Sequence, residues 1–214
     1  MSRFLVSVLF LLSFLISSSQ ERIFQFWNLN ALDVKIMENA TLGVSEKIQY
    51  TPKTNSIDLQ YADITLEHKL TRWFEIGGGG RLLWMRKEYG WLREKRPMLY
   101  GNLLVSTGNF NWFFSNRIEY RFLDKADDHF RHRQIMNVNF PEIRRAGNLR
   151  FYTSIETFYK FQPDKLHLAR FYAGVKTIQK EHFGLKLYYA LEKKKSNSLW
   201  SAADILGVNM NFIY

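Results

Sequence analysis

Four consecutive glycines at 77–80, followed by Arg81, form the first stretch whose composition could do chemistry, because a glycine run can bring backbone N–H groups against a phosphate. A phosphate-cradling loop needs Lys-Ser/Thr after its glycines, or the spacing G-x-G-x-x-G at a helix start. Here Leu82, Leu83 and Trp84 follow Arg81, and these favour extended chain. "WFEIGGGGRLLWMRK" therefore reads as a strand with glycine at its middle. Missing side chains on one face would make room for long residues from neighbouring strands and help a sheet bend toward closure.

The 5 histidines, His68, His129, His132, His167 and His182, are the next candidates, since "EHK" and "DDHFRH" set carboxylates beside imidazoles. A hydrolytic site needs its nucleophile and base in contact. Neighbours along a strand point to opposite sides, so adjacency in sequence argues against contact. These histidines read as solvated residues at strand ends, and no enzyme activity, catalytic residue, cofactor or metal site is expected.

The largest constellation is ionic. Asp63, Glu67, Glu75, Arg81, Arg117, Glu119, Arg121, Arg131, Arg133, Glu156, Arg170, Lys176, Lys186 and Glu192 all fall on the polar side of alternating segments. If that side faces inward, the charges must pair and hydrogen-bond, since an isolated buried charge is too costly to keep. An Arg–Glu network filling an interior is the expectation.

The elements that would hold this set are strands. Runs with period-two alternation recur at 26–37, 41–50, 57–69, 73–85, 98–106, 112–122, 130–140, 149–161, 166–178, 183–192 and 202–214. In "NWFFSNRIEYRF", Phe114, Ile118, Tyr120 and Phe122 oppose Arg117, Glu119 and Arg121. Connections read as alternately short ("LTR", "QKE") and longer ("TPKTNS", "RKEYGWLREKR", "LDKADD", "QPDK", "KKKSNSLWS"). "PEIRRAGN" is the exception to that asymmetry. Trp73 and Trp112 lie at strand starts, and Trp84, Trp91 and Trp200 near the opposite ends, as interfacial aromatic girdles require. Glu46, Asn116 and His132 are misfits on the apolar face, and Asn28 and Asn30 share a face with Leu32, Val34 and Ile36. Bacterial barrels usually have an even strand number, so the expectation is 10–12 strands with both chain ends on one side.

The two ends of the chain point to export. Residues 1–19 have the layout of a signal peptide: Arg3, an apolar run to Ile16, then small Ser17, Ser18 and Ser19. The run is too short for the roughly 20 residues of a spanning helix. Residues 20–214 are expected to form one domain, and with Cys 0 it cannot depend on disulfides. In the final "LGVNMNFIY", Leu206, Val208, Met210, Phe212 and Tyr214 share one apolar face. That ending resembles the C-terminal assembly signal of Gram-negative outer-membrane barrels, a terminal aromatic preceded by alternating hydrophobic residues.

The segments "FWNLNALDVKI", "GGGGR", "NRIEYRF", "FRHRQ", "FYTSIETF" and "LARFYAGV", in order along nearly all of residues 20–214, resemble the domain-of-unknown-function family 2490. That resemblance implies an uncharacterised outer-membrane barrel and brings no catalytic residues. The combined expectation is an all-β, closed antiparallel transmembrane β-barrel with a side-chain-filled lumen, resident in the bacterial outer membrane. Its role is structural or binding. A narrow anion-preferring pore, an outer-membrane lipid-modifying enzyme and a soluble exported β-sandwich binding module are the alternatives. Expected partners are outer-membrane lipid, lipopolysaccharide and the barrel assembly machinery, with the ligand unknown. The basic runs "RKEYGWLREKRP" (86–97) and "EKKKSNSLW" (192–200) read as outward loops, either simply solvated or meeting lipopolysaccharide phosphates. Nucleic acid is not expected, although the pI is 9.7.

Overall fold

Alternation gives each strand two unlike sides, and a sheet of such strands can hide its unpaired edges by closing on itself. A computed structural model describes residues 22–88, 90–124, 126–143, 147–161, 165–196 and 199–214; the export signal expected over 1–19 lies outside them. The strands are β1 (Ile23–Met37), β2 (Ala40–Thr51), β3 (Ser56–Lys69), β4 (Phe74–Lys87), β5 (Gly90–Thr107), β6 (Phe110–Leu123), β7 (His129–Asn139), β8 (Arg150–Lys160), β9 (Lys165–Gln179), β10 (Phe183–Ser196) and β11 (Leu199–Ile213). Each pairs antiparallel with its sequence neighbour, and β1 pairs with β11 to complete a closed barrel.

Closure corrects two expectations. The barrel has an odd number of up-and-down strands, so the first and last point the same way and their seam is parallel. It runs from Ile23 opposite Ala203 to Asp33 opposite Ile213. Tyr214 fastens it, donating its N–H to the Asp33 carbonyl at 2.8 Å and accepting from the Lys35 N–H at 2.6 Å. β1 therefore starts at the end opposite Tyr214, so Ile23 and Tyr214 lie at opposite rims rather than on one side. The sandwich alternative is also excluded, because a single sheet closes on itself.

Two of the expected outward loops, 86–97 and 192–200, are mostly strand instead. β4 ends at Lys87 and β5 begins at Gly90, so most of 86–97 lies in the sheet; β10 and β11 likewise absorb most of 192–200. The reason is visible in β5: Leu92, Glu94, Arg96 and Met98 are buried, while Arg93, Lys95, Pro97 and Leu99 are exposed. A charge-rich run keeps period two when its inner face is ionic. β7 ends at Asn139 and β8 begins at Arg150, both at the Tyr214 end.

Glycine has a definite place in this geometry. Gly77 lies directly opposite Tyr100, Gly174 opposite Tyr152 and Gly207 opposite Tyr188. A Cβ on Gly77 would lie 2.4 Å from the Tyr100 ring, and one on Gly207 would lie 2.0 Å from Tyr188. Each tyrosine ring thus covers a bare stretch of the inner wall. Two of these rings, Tyr152 and Tyr188, form a buried cluster with Trp27, Ala190 and Ile205 inside the barrel near the seam, and Tyr172 packs against it.

The outer face is apolar almost throughout. Leu99, Ile64, Ile118 and Leu66 are each more than half exposed. Aromatic pairs gather toward both rims: Phe110–Phe140, Trp112–Phe114 and Phe183–Phe212 toward the Tyr214 end, and Phe24–Phe26, Tyr120–Phe130 and Tyr159–Phe161 toward the other. Four of the polar misfits, Asn28, Asn30, Glu46 and Asn116, find partners on that surface. Asn30 Nδ2 donates to Glu46 Oε1 at 2.9 Å and to Asn28 Oδ1 at 3.0 Å, and Gln134 Nε2 donates to Asn116 Oδ1 at 3.1 Å.

Candidate functional site

Strand register, rather than loops, assembles the charged interior. It sets Asp63 opposite Arg81, Glu119 opposite Arg131, Glu156 opposite Arg170 and Arg170 opposite Glu192. Directly opposed residues have Cβ atoms about 4.5–5.5 Å apart, close enough for opposite charges to meet. Arg81 grips Asp63 bidentately, Nε to Oδ1 and Nη2 to Oδ2, both at 2.5 Å. Arg131 donates to Glu119 Oε2 from Nη2 at 2.5 Å and from Nε at 2.9 Å.

Glu156 is the hub on the far wall. Arg133 is bonded to its Oε1, and Oε2 accepts from Arg170 Nη1 at 3.0 Å and from the Tyr172 hydroxyl at 2.8 Å. Arg170 also donates from Nε to Glu192 Oε2 at 2.7 Å. Nine of the expected lumenal residues, Asp63, Arg81, Glu119, Arg121, Arg131, Arg133, Glu156, Arg170 and Glu192, thus enter a belt of ion pairs around the lumen. Glu94 and Arg96 belong to the same belt and were missed in the sequence reading. Glu94 accepts from Arg121 at 2.6 Å and from Arg96 at 2.7 Å, and Arg96 also reaches Glu119 at 3.6 Å. Glu94 and Glu119 are 2% and 0% exposed. The signal that could have found the pair is the alternation inside "WLREKRPML", masked by treating charge as a mark of loops.

The other five expected lumenal residues stand apart from the belt. Glu67 accepts from Asn102 Nδ2 at 2.9 Å, and Glu75 lies 3.9 Å from Lys69 Nζ. Arg117 points toward Met98 Sδ at 3.3 Å and lies 4.9 Å from the Tyr100 ring. Lys176 and Lys186 face each other directly across β9 and β10 and make no ion pair among the described residues. Lys47, a further residue that sequence reasoning passed over, is buried with its Nζ 3.3 Å from the Trp27 ring centre; the Arg170 guanidinium lies over the same ring at 4.8 Å.

The histidines are dispersed. His68 contacts Asn39, His129 contacts Arg121 and the Asp127 carbonyl, and His182 contacts the Ile213 carbonyl and stacks on Tyr214. His132 faces outward opposite Ile118, and His167 is buried beside Phe158. Among the described residues there is no metal-binding cluster of His, Asp and Glu.

Around the belt the lumen keeps a cavity of about 1120 Å³. Its lining reaches Lys87 and Lys194 at one mouth and Ser106, Asn111 and Asn139 at the other. The proposed assembly residues Leu206, Val208, Met210 and Phe212 sit on the outer face of β11, next to the parallel seam, and Tyr214 follows them at 65% exposure. Such an arrangement can brace a wall and offer cationic surface to an anion.

Fold and interior together define a closed, mixed-pairing β-barrel with an ion-pair belt inside and a largely apolar outer face. The chain belongs to the family described as "Protein of unknown function (DUF2490)", which matches residues 24–201. No curated protein matches the chain.

Proposed function

We propose that this protein is a barrel of the Gram-negative outer membrane, with a structural or binding role and a lumen braced across by ion pairs. One observation carries the reading: the polarity of a soluble barrel is inverted, with Leu99 at 73% exposure outside and Glu119 at 0% inside. Hydrocarbon outside makes that distribution stable, whereas water outside would leave an apolar surface far larger than soluble monomers tolerate. The aromatic pairs toward both rims match interfacial girdles. Arg93 and Lys95 on the outer face of β5, with Lys195 6.0 Å from the Trp200 ring, supply cations at the rim opposite Tyr214. That placement suits the phosphates of lipopolysaccharide as a lipid partner. The apolar face of β11 is a fitting signal for the barrel assembly machinery. No catalytic step is part of the proposal.

Cell fractionation with gel mobility before and after boiling tests it. The expected result is recovery in outer-membrane fractions and a mobility that changes on boiling; a soluble periplasmic monomer with unchanged mobility would overturn it.

A second reading, a narrow anion-preferring passage, is favoured by the cavity-lining Lys87 and Lys194 toward one end and Lys176 and Lys186 toward the other. Planar-bilayer recording separates the two. The braced lumen predicts no steady nanosiemens conductance, and such a conductance with anion selectivity would replace it with the passage.

A further inference from the structure

Like charges directly opposite one another destabilise a sheet unless something else compensates. Near the Tyr214 end, register sets Arg150 opposite Lys176 and Lys176 opposite Lys186, on the same inner face, with Asn209 next across β11. Lys176, Lys186 and Asn209 all line the lumenal cavity. This is the reverse of the belt, where acids stand opposite arginines. Of the carboxylates nearby, Glu142 lies 3.4 Å from Arg150 at the edge of the ladder, and Asp33 accepts from Asn211 at 3.1 Å. Neither lysine has an ion-pair partner among the described residues, and the buried Asn209 Oδ1 and Arg150 Nε lack hydrogen bonds.

We propose that this ladder is a binding site for a doubly charged phosphate-type oxyanion. Directly opposed residues have Cβ atoms about 4.5–5.5 Å apart, so two flexible lysine side chains can converge on one tetrahedral dianion, each with three donors. The Arg150 fork can add a charge-assisted bond, and a half-turn of the Asn209 amide presents its Nδ2 to the same ligand. A single carboxylate or chloride would neutralise only one of the two lysines. The inference stands on the lumen itself and holds whether or not the barrel conducts.

Titration calorimetry of the full-length barrel in detergent, at constant ionic strength, tests it with inorganic phosphate and pyrophosphate. A second arm uses nanodiscs of phosphatidylcholine with and without phosphatidic acid, whose head group carries the same chemistry. Saturable binding is expected in at least one arm, and the arm in which it occurs tells a free anion from a lipid head group. Lys176→Gln with Lys186→Gln should weaken binding by about tenfold or more, the loss expected for charge-assisted hydrogen bonds. Lys186→Arg, which keeps the charge and guards against a folding defect, should retain binding, as should Lys87→Gln at the opposite mouth. No saturable binding in either arm, or equal binding by the double variant, would overturn the site.

Discussion

Glu119 has no exposure, yet it is bonded to Arg131 and lies 3.6 Å from Arg96. A buried ion pair contributes little net stability when intact, because both partners lose hydration, but removing one partner leaves the other charge uncompensated. Glu119→Gln is therefore expected to destabilise the barrel by about 3–5 kcal/mol, read from urea unfolding followed by gel mobility. A change below about 1 kcal/mol would place the belt in water-like surroundings, where exposed pairs are worth that little. At this scale the sequence was readable wherever alternation was undisturbed: Asp63, Arg81, Glu119, Arg131, Glu156 and Arg170 could be assigned inward from neighbours alone. Which acid meets which base could not be read, because partner choice depends on register between strands. Lys47 was missed because the side chain that covers it, Trp27, comes from another strand.

At the level of the strand, β4 shows what its glycines do. A Cβ on Gly79 would lie 2.2 Å from the Ile64 carbonyl oxygen of β3 and 2.9 Å from the Thr65 Cα, whereas one on Gly80 meets nothing within 4 Å. Backbone cannot step aside as a side chain can. Gly79→Ala should cost about 1–3 kcal/mol through overpacking, while Gly80→Ala should be neutral or stabilising by up to about 1 kcal/mol. Paired urea titrations check the contrast, and equal effects would mean that β3 does not approach β4 this closely. The strands themselves were legible because alternation is a local property. The parallel seam was not, since it follows from the parity of the strand count, and no residue in β1 or β11 announces it. The polar residues of β1 that looked like a fault in the pattern, Asn28 and Asn30, are outward residues that bond each other and Glu46.

For the molecule as a whole, alternation alone cannot say whether the greasy side of a closed sheet faces in or out; closure and the buried belt decide that charge lies inside, and the medium around the barrel is the central claim. β8 offers two adjacent residues at nearly one height: Ser154 lines the lumenal cavity, and Ile155 lies on the outer face at 36% exposure. The chain has Cys 0, so Ser154→Cys and Ile155→Cys can each carry a single polarity-sensitive fluorophore without further changes. The decisive measurement is emission from each labelled barrel in phospholipid vesicles whose acyl chains carry a quencher. Blue-shifted, strongly quenched emission is expected at 155 and polar, unquenched emission at 154. Unquenched, water-like emission at 155 would contradict it.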